Sequence, residues 1–328
     1  MTRRCFAAVL TVMAVPLLAP AGAVGQTLTA TTDGRTEFRT TWGDPDLQGI
    51  WTNSTTTRLE RPDDLAGQEF LTDEERIAGD EERIRNSDQK PQPGQTGAYN
   101  SFWLERGKLS TRTSLIVDPV DGKLPPLMPR EAMRRAERPM PGSRDRDPDG
   151  PEDRNLYERC ISRGMPGSMM PGFYNHNYQI LQTPEYVVIL VEMIHDARII
   201  PLDGRPPANE NIQQWLGDSR GRWEGDTLVV ETTNLTKVAG RGVTVFGASE
   251  TTQLVERFTR TNEWTIDYQF TLTDPTEYAR PWTASIPMSD LGGPIFEYAC
   301  HEGNYGLENI LAGARAAERT TELAAISK

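Results

Sequence analysis

The chain has 328 residues, with 47 acidic against 35 basic side chains, three histidines and a formal net charge of −12. That balance argues against a nucleic-acid partner, because nothing resembles a basic stripe able to neutralise phosphates. Beyond the first residues no apolar stretch approaches the ~18 residues of a membrane span, so no membrane anchor is expected.

The N-terminus reads as an address. Arg3 and Arg4 precede an apolar run from Ala7 to Leu18, and Ala21-Gly22-Ala23 supplies the small residues that signal peptidase requires. Charge, apolar run and small residues in that order predict a secretory signal over residues 1–23, cleaved after Ala23 or Gly25. Thr2-Arg3-Arg4-Cys5-Phe6 also fits a twin-arginine motif, which leaves two export routes open. Loss of the two arginines takes the net charge from −12 to −14. A periplasmic or secreted protein is expected. Cys5 leaves with the signal; Cys160 and Cys300 remain. In an oxidising compartment they most simply form one disulfide, the alternative being two buried free thiols. A bridge would set Arg159-Cys160-Ile161-Ser162-Arg163-Gly164 beside Tyr298-Ala299-Cys300-His301-Glu302-Gly303.

Residues 24–41 are polar and without period, a loose mature N-terminus. Residues 42–328 are expected to form a single β-rich domain. Patterning starts near Asp44-Pro45-Asp46-Leu47-Gln48-Gly49-Ile50-Trp51, and Thr72-Asp73-Glu74-Glu75 is a capping box opening a charged helix to about Arg85. Residues 86–98 read as a loop, Ser114 to Val117 as a strand, Arg130 to Glu137 as a short helix and 138–155 as an exposed Pro-rich charged loop.

Strands dominate the second half of the chain. Tyr178 to Gln182 and Tyr186 to Met193 flank the turn Thr183-Pro184-Glu185, and Ala197 to Leu202 comes next. Gly217-Asp218-Ser219-Arg220-Gly221 reads as a tight turn feeding Arg222-Trp223, and Glu224-Gly225-Asp226 turns into Thr227 to Glu231. Leu254 to Thr259 is joined through Arg260-Thr261-Asn262-Glu263 to a run in which Trp264, Ile266, Tyr268, Phe270 and Leu272 alternate with polar residues. Strict alternation predicts one buried face. Pro281 to Met288 is a further strand, and Leu307 to Ala325 a closing helix.

Successive hairpins without long helices predict a mainly β, antiparallel fold. A closed barrel with peripheral short helices removes exposed edges, a β-sandwich being the alternative. Gly49-Ile50-Trp51 resembles the Gly-x-Trp start of the lipocalin and calycin barrels.

The three histidines lie in polar clusters: His176 in Tyr174-Asn175-His176-Asn177-Tyr178, His195 in Glu192-Met193-Ile194-His195-Asp196, and His301 before Glu302. Imidazole exchanges protons near neutral pH and an adjacent carboxylate fixes its tautomer. His176, His195 and His301, with Glu192 and Asp196, are therefore the candidate acid–base groups. Tyr178, Asn177, Asn304, Tyr305 and Arg220 are the candidate ligand-binding residues. Each also has a structural reading, as a turn former, a loop hydrogen bond or a salt-bridged surface charge. No short metal-ligand spacing, nucleophile elbow or nucleotide loop occurs, so no cofactor is expected; zinc on the three histidines is the alternative. Glu231 and Glu256 lie on strands and become acid–base candidates only if they face a barrel interior.

Several longer segments occur together: Pro45 to Trp51, Arg159 to Gly167, Asn177 to Gln182, Glu192 to Pro201, Leu216 to Thr232, Tyr278 to Pro287 and Tyr298 to Tyr305. In these the chain resembles a family of secreted bacterial proteins of hypothetical function, over nearly all of residues 42 to 316. The resemblance implies an exported protein of one fold and no catalytic assignment. The functional expectation is a periplasmic enzyme acting on a small, partly aromatic molecule by cofactor-free acid–base chemistry, as a lyase or isomerase and less readily a hydrolase. The alternatives are a calycin-type carrier of a hydrophobic ligand, and a structural or partner-binding envelope protein. Oligomeric state is not legible.

Overall fold

The computed structural model describes residues 38–87, 102, 104–105, 107–137, 147–172, 174–236 and 251–326. The expected export signal, residues 24–37, most of the 86–98 loop and residues 138–146 lie outside them. The described residues belong to one unit, Phe38–Lys328.

The strands are β1 (Gly49–Thr52), β2 (Ile116–Asp118), β3 (Asn177–Gln182), β4 (Tyr186–Val191) and β5 (Ala197–Pro201). They continue as β6 (Asp218–Glu224), β7 (Thr227–Thr233), β8 (Gln253–Asn262), β9 (Thr265–Thr273) and β10 (Trp282–Asp290). Among the described residues three α-helices lie outside the sheet: α1 (Asp73–Ser87), α2 (Pro129–Glu137) and α3 (Tyr305–Ile326). The spatial order is β5-β4-β3-β1-β10-β9-β8-β7-β6, every pairing antiparallel, with β2 added on β10. The early strand β1 thus joins two meanders, pairing Thr52 with Asn177 on one side and Ser289 on the other. The nine strands of that path form a nearly closed barrel rather than a sandwich. Between β5 and β6 the closure is made by side chains: a Cβ on Gly221 would sit 2.6 Å from Leu202 Cδ2 and 2.8 Å from Ile200 Cγ2, so a larger residue would have to push these methyl groups aside.

The barrel is filled. Ile266, Tyr268, Phe270 and Leu272 of β9 face inward as their alternation predicts, against Phe258 of β8 and Trp282, Ala284 and Ile286 of β10. Phe258 stacks on Tyr268 at 4.7 Å between ring centroids, and Phe270 meets Trp282 edge-on at 5.2 Å. Each such ring contributes on the order of 2–3 kcal/mol by leaving water. A polar knot crosses this interior: Arg198 of β5 and Glu256 of β8, both buried, form a two-pronged ion pair, and Tyr268 donates to Glu256 at 3.0 Å. Glu256 therefore faces inward, while Glu231 is exposed and ion-paired with Arg222 at 2.6 Å.

Near β1, Trp51 is buried with its Nε1 donating to Leu47 O at 3.0 Å, and Gln182 secures the same turn through Leu47 and Pro45. The Arg260 guanidinium lies over Phe38 and Trp51. Gly49 takes φ +146°, which L side chains rarely adopt, and a Cβ there would crowd Trp51 Nε1 at 3.2 Å.

Several expected boundaries shift. Strand β4 ends at Val191, because the chain turns into a short 3-10 helix, Met193–His195, with Ile194 and His195 at positive φ. Strand β8 runs on to Asn262, so the turn into β9 shrinks to Glu263 and Trp264. Trp264 consequently leaves the inward row; it is 60 % exposed in that turn, its N–H held by Asn262 Oδ1. Asp218, Ser219 and Arg220 are strand, not turn; the reversal is made one residue earlier by Gly217 at φ +71°. The capping box forms as expected, Thr72 and Glu75 exchanging bonds of 2.8 and 3.2 Å. The disulfide Cys160–Cys300 also forms, spanning 140 residues.

Candidate functional site

The end of β1, the start of β3 and the end of β4 meet at one rim of the barrel. There the Glu192 N–H donates to Asn177 O at 3.0 Å, and Asn177 Nδ2 donates to Glu192 Oε2 at 2.7 Å. The other Glu192 oxygen accepts the Phe296 N–H at 2.8 Å. Glu192 is only 3 % exposed, and two donors hold its carboxylate in one orientation. Glu105 approaches the same Asn177 amide nitrogen with both oxygens, at 3.3 and 3.5 Å. Two carboxylates thus share one amide, and among the described residues neither is ion-paired with a basic side chain. The Asn177 Oδ1 is buried without a hydrogen-bond partner.

An open cleft of about 400 Å³ lies over this arrangement. Glu105, Glu192, Asn177, Asn175, Thr52 and Ser54 supply its polar lining, and Leu291, Pro294 and Phe296 an apolar wall. Asn175 takes φ +55°, a left-handed conformation that asparagine tolerates better than most residues. The wall is segment 291–304, tied down by the Phe296–Glu192 bond, by His195 Nδ1 against Tyr298 O at 3.4 Å, and by the disulfide.

Behind the rim, His176 is buried on Gly172, where a Cβ would fall 1.8 Å from Nε2. Arg163 Nη1 lies 2.7 Å from His176 Nε2 and 3.2 Å from Nδ1. A guanidinium only donates, so the ring must offer a lone pair and is neutral. Burial first, and then the Arg163 charge, push the His176 pKa down to about 3. Burial also pushes the Tyr178 phenol up, with the Arg163 charge partly opposing it.

The three imidazoles occupy different settings. His176 is enclosed, whereas His301 is exposed and His195 lies at the surface, outside the core. Among the described residues no group of three or more His, Cys, Asp or Glu side chains is placed to hold a metal ion. Asp196 accepts a bond from Ser162 at 3.1 Å, and burial raises its pKa. Asn304 accepts the Leu307 N–H at 3.3 Å and donates to Glu158 O at 3.0 Å, so it caps α3 and ties that helix to the 158–160 segment. Tyr305 is exposed on the first turn of α3. Arg220 pairs with Asp218 at 2.5 Å and with Pro206 O at 3.1 Å.

Of the residues expected from sequence to bind or react, the rim brings together Asn177 and Glu192. It adds Glu105 and Phe296, which sequence reasoning did not single out. Glu105 stands in a stretch without period or motif, and Phe296 comes after two glycines and a proline, so neither carried a signal. Arg163 did: the bridge places its segment beside Tyr298, and Tyr298 does come within electrostatic reach of the guanidinium. The chain matches no protein-family model, no curated protein and no solved structure.

Proposed function

We propose that this is an exported small-molecule enzyme whose site is the rim cleft and whose working groups are the carboxylates of Glu105 and Glu192. The observation that carries the reading is the shared amide: two carboxylates on Asn177 Nδ2, without a basic partner among the described residues, beside an unpartnered buried Asn177 Oδ1. Such a site favours a ligand that brings positive charge or N–H and O–H donors, because two uncompensated carboxylates repel each other until a donor intervenes. The apolar wall of Leu291, Pro294 and Phe296 suits an aromatic or alicyclic body. Glu192, fixed by two donors, is the positioning carboxylate. Glu105, held only by long contacts, is the group free to take and return a proton. A proton taken by Glu105 from a small aromatic amine or hydroxy compound and returned to another of its atoms, as in an isomerase, or to the group it expels, as in a lyase, needs no more than these groups. The filled barrel favours a ligand at the rim over one in the lumen, and so favours this reading over a carrier of calycin type.

The test is turnover of a panel of small aromatic amines and hydroxy compounds by the native protein, Glu105→Gln and Glu192→Gln. The reading expects turnover of at least one compound by the native protein. Glu105→Gln should lose most of the rate with binding retained, and Glu192→Gln should weaken binding. Turnover unchanged in Glu105→Gln, or no turnover by native protein of any compound that binds, overturns it.

A further inference from the structure

Among the described residues Arg163 is a guanidinium without an anion. Its partners are the neutral ring of His176 and the face of Tyr157, whose centroid lies 5.2 Å from Cζ. No carboxylate bonds or ion-pairs with it among the described residues. Withdrawing a guanidinium from water is costly unless a charge partner replaces the lost hydration. Here that partner is missing, and burial lowers the Arg163 pKa as the deficit requires.

The surroundings are specific. Tyr157, Tyr174 and Tyr298 are half-buried, and Tyr174 and Tyr298 lie within electrostatic reach of the Tyr157 hydroxyl. Tyr178 is fully buried; its hydroxyl has the Asn53 side chain nearby but makes no hydrogen bond of good geometry, and it lies within electrostatic reach of Arg163. A phenol that is 0 % exposed and lacks a well-aligned partner, within electrostatic reach of that guanidinium, is a second and independent deficit. Arg163 is itself only partly covered.

We propose that Arg163 anchors a carboxylate-binding subsite, walled by Tyr157, Tyr174 and Tyr298, that takes a small aromatic acid. A single planar carboxylate matches the guanidinium fork and neutralises one charge with one. Phenol rings flank an aromatic body, and phenol hydroxyls can turn to donate to the bound oxygens. Phosphate or sulfate would bring a second charge that nothing here compensates. The inference goes beyond the rim cleft and does not rest on it.

Isothermal titration of the full-length mature protein with benzoate, and separately with sulfate, tests the subsite. Saturable benzoate binding is expected, with sulfate weaker by roughly tenfold or more. Arg163→Gln should weaken benzoate by roughly tenfold or more, and Arg163→Lys by less, since lysine keeps the charge and loses the fork. Near-UV circular dichroism establishes that each variant is folded. Where Arg163→Gln does not fold, Tyr174→Phe serves instead and should weaken benzoate severalfold. No saturable benzoate binding by native protein, equal affinity for sulfate, or unchanged benzoate affinity in a folded variant of Arg163 and in Tyr174→Phe would each overturn the proposal.

Discussion

Asn177 and Glu192 hold each other twice, backbone N–H of Glu192 to Asn177 O at 3.0 Å and side-chain Nδ2 of Asn177 to Glu192 Oε2 at 2.7 Å. The first bond extends the β3–β4 ladder by one residue past the last strand position; the second uses that extension to aim a carboxylate. Removing the amide leaves a buried carboxylate oxygen short of a donor. Asn177→Ala is expected to cost about 1–3 kcal/mol in urea unfolding. Asn177→Asp should cost more than Asn177→Ala, since it adds a third negative charge beside Glu105 and Glu192. A neutral result for Asn177→Asp would mean that the rim carries no uncompensated charge.

His176 should make stability depend on pH. Its folded pKa, about 3, is lower than the ordinary value of 6.5, so between those values the unfolded chain binds the extra proton. The contribution is complete above 6.5 and is lost as pH falls toward 3, at up to about 1.4 kcal/mol per pH unit. Thermal unfolding from pH 7 to pH 4 should show a falling midpoint, with a flatter profile in His176→Gln. Parallel profiles for the two proteins would remove His176 as the cause.

The Arg198–Glu256 pair in the barrel interior should behave asymmetrically. Arg198→Met strands a buried carboxylate and is expected to destabilise by about 3–5 kcal/mol. The double variant Arg198→Met/Glu256→Leu should recover much of that loss in guanidinium chloride unfolding. A double variant destabilised by the sum of the costs of Arg198→Met and Glu256→Leu alone would show that the charges are not coupled.

The disulfide closes a 140-residue separation and fixes the cleft wall. Cys160→Ser/Cys300→Ser is expected to lose about 5 kcal/mol of stability in the chain-entropy account. Amide exchange should speed up most at the Phe296 N–H, whose bond to Glu192 depends on the wall being held. Exchange there at the native rate would mean that the wall stands without the bridge.

Much of the fold was written in local pattern. The β9 alternation, the Thr72–Glu75 box and the hairpin turns each depend on neighbours in sequence, where propensity and period speak directly. Trp264 misled because alternation continues across a turn that only tertiary pairing of Asn262 with Thr265 defines. Glu231 and Glu256 look alike in sequence and differ only in which face their strands present. The site was legible in half. Asn177 and Glu192 stand in conspicuous polar clusters, whereas Glu105 reaches them across 72 residues from a segment without pattern. The histidines drew attention through their rarity, yet rarity says nothing of convergence; enclosure of His176 beside a guanidinium is a tertiary fact.

The side-chain amide of Asn177 reports on the rim directly, since its nitrogen bonds both carboxylates. Its ¹⁵N–¹H resonances, assigned by comparison with Asn177→Ala, can be followed while tyramine is added to the native protein. The account predicts a saturable shift of those resonances, lost in the Glu105→Gln/Glu192→Gln protein. Resonances that stay still while tyramine binds elsewhere, or that shift equally without the two carboxylates, would contradict it.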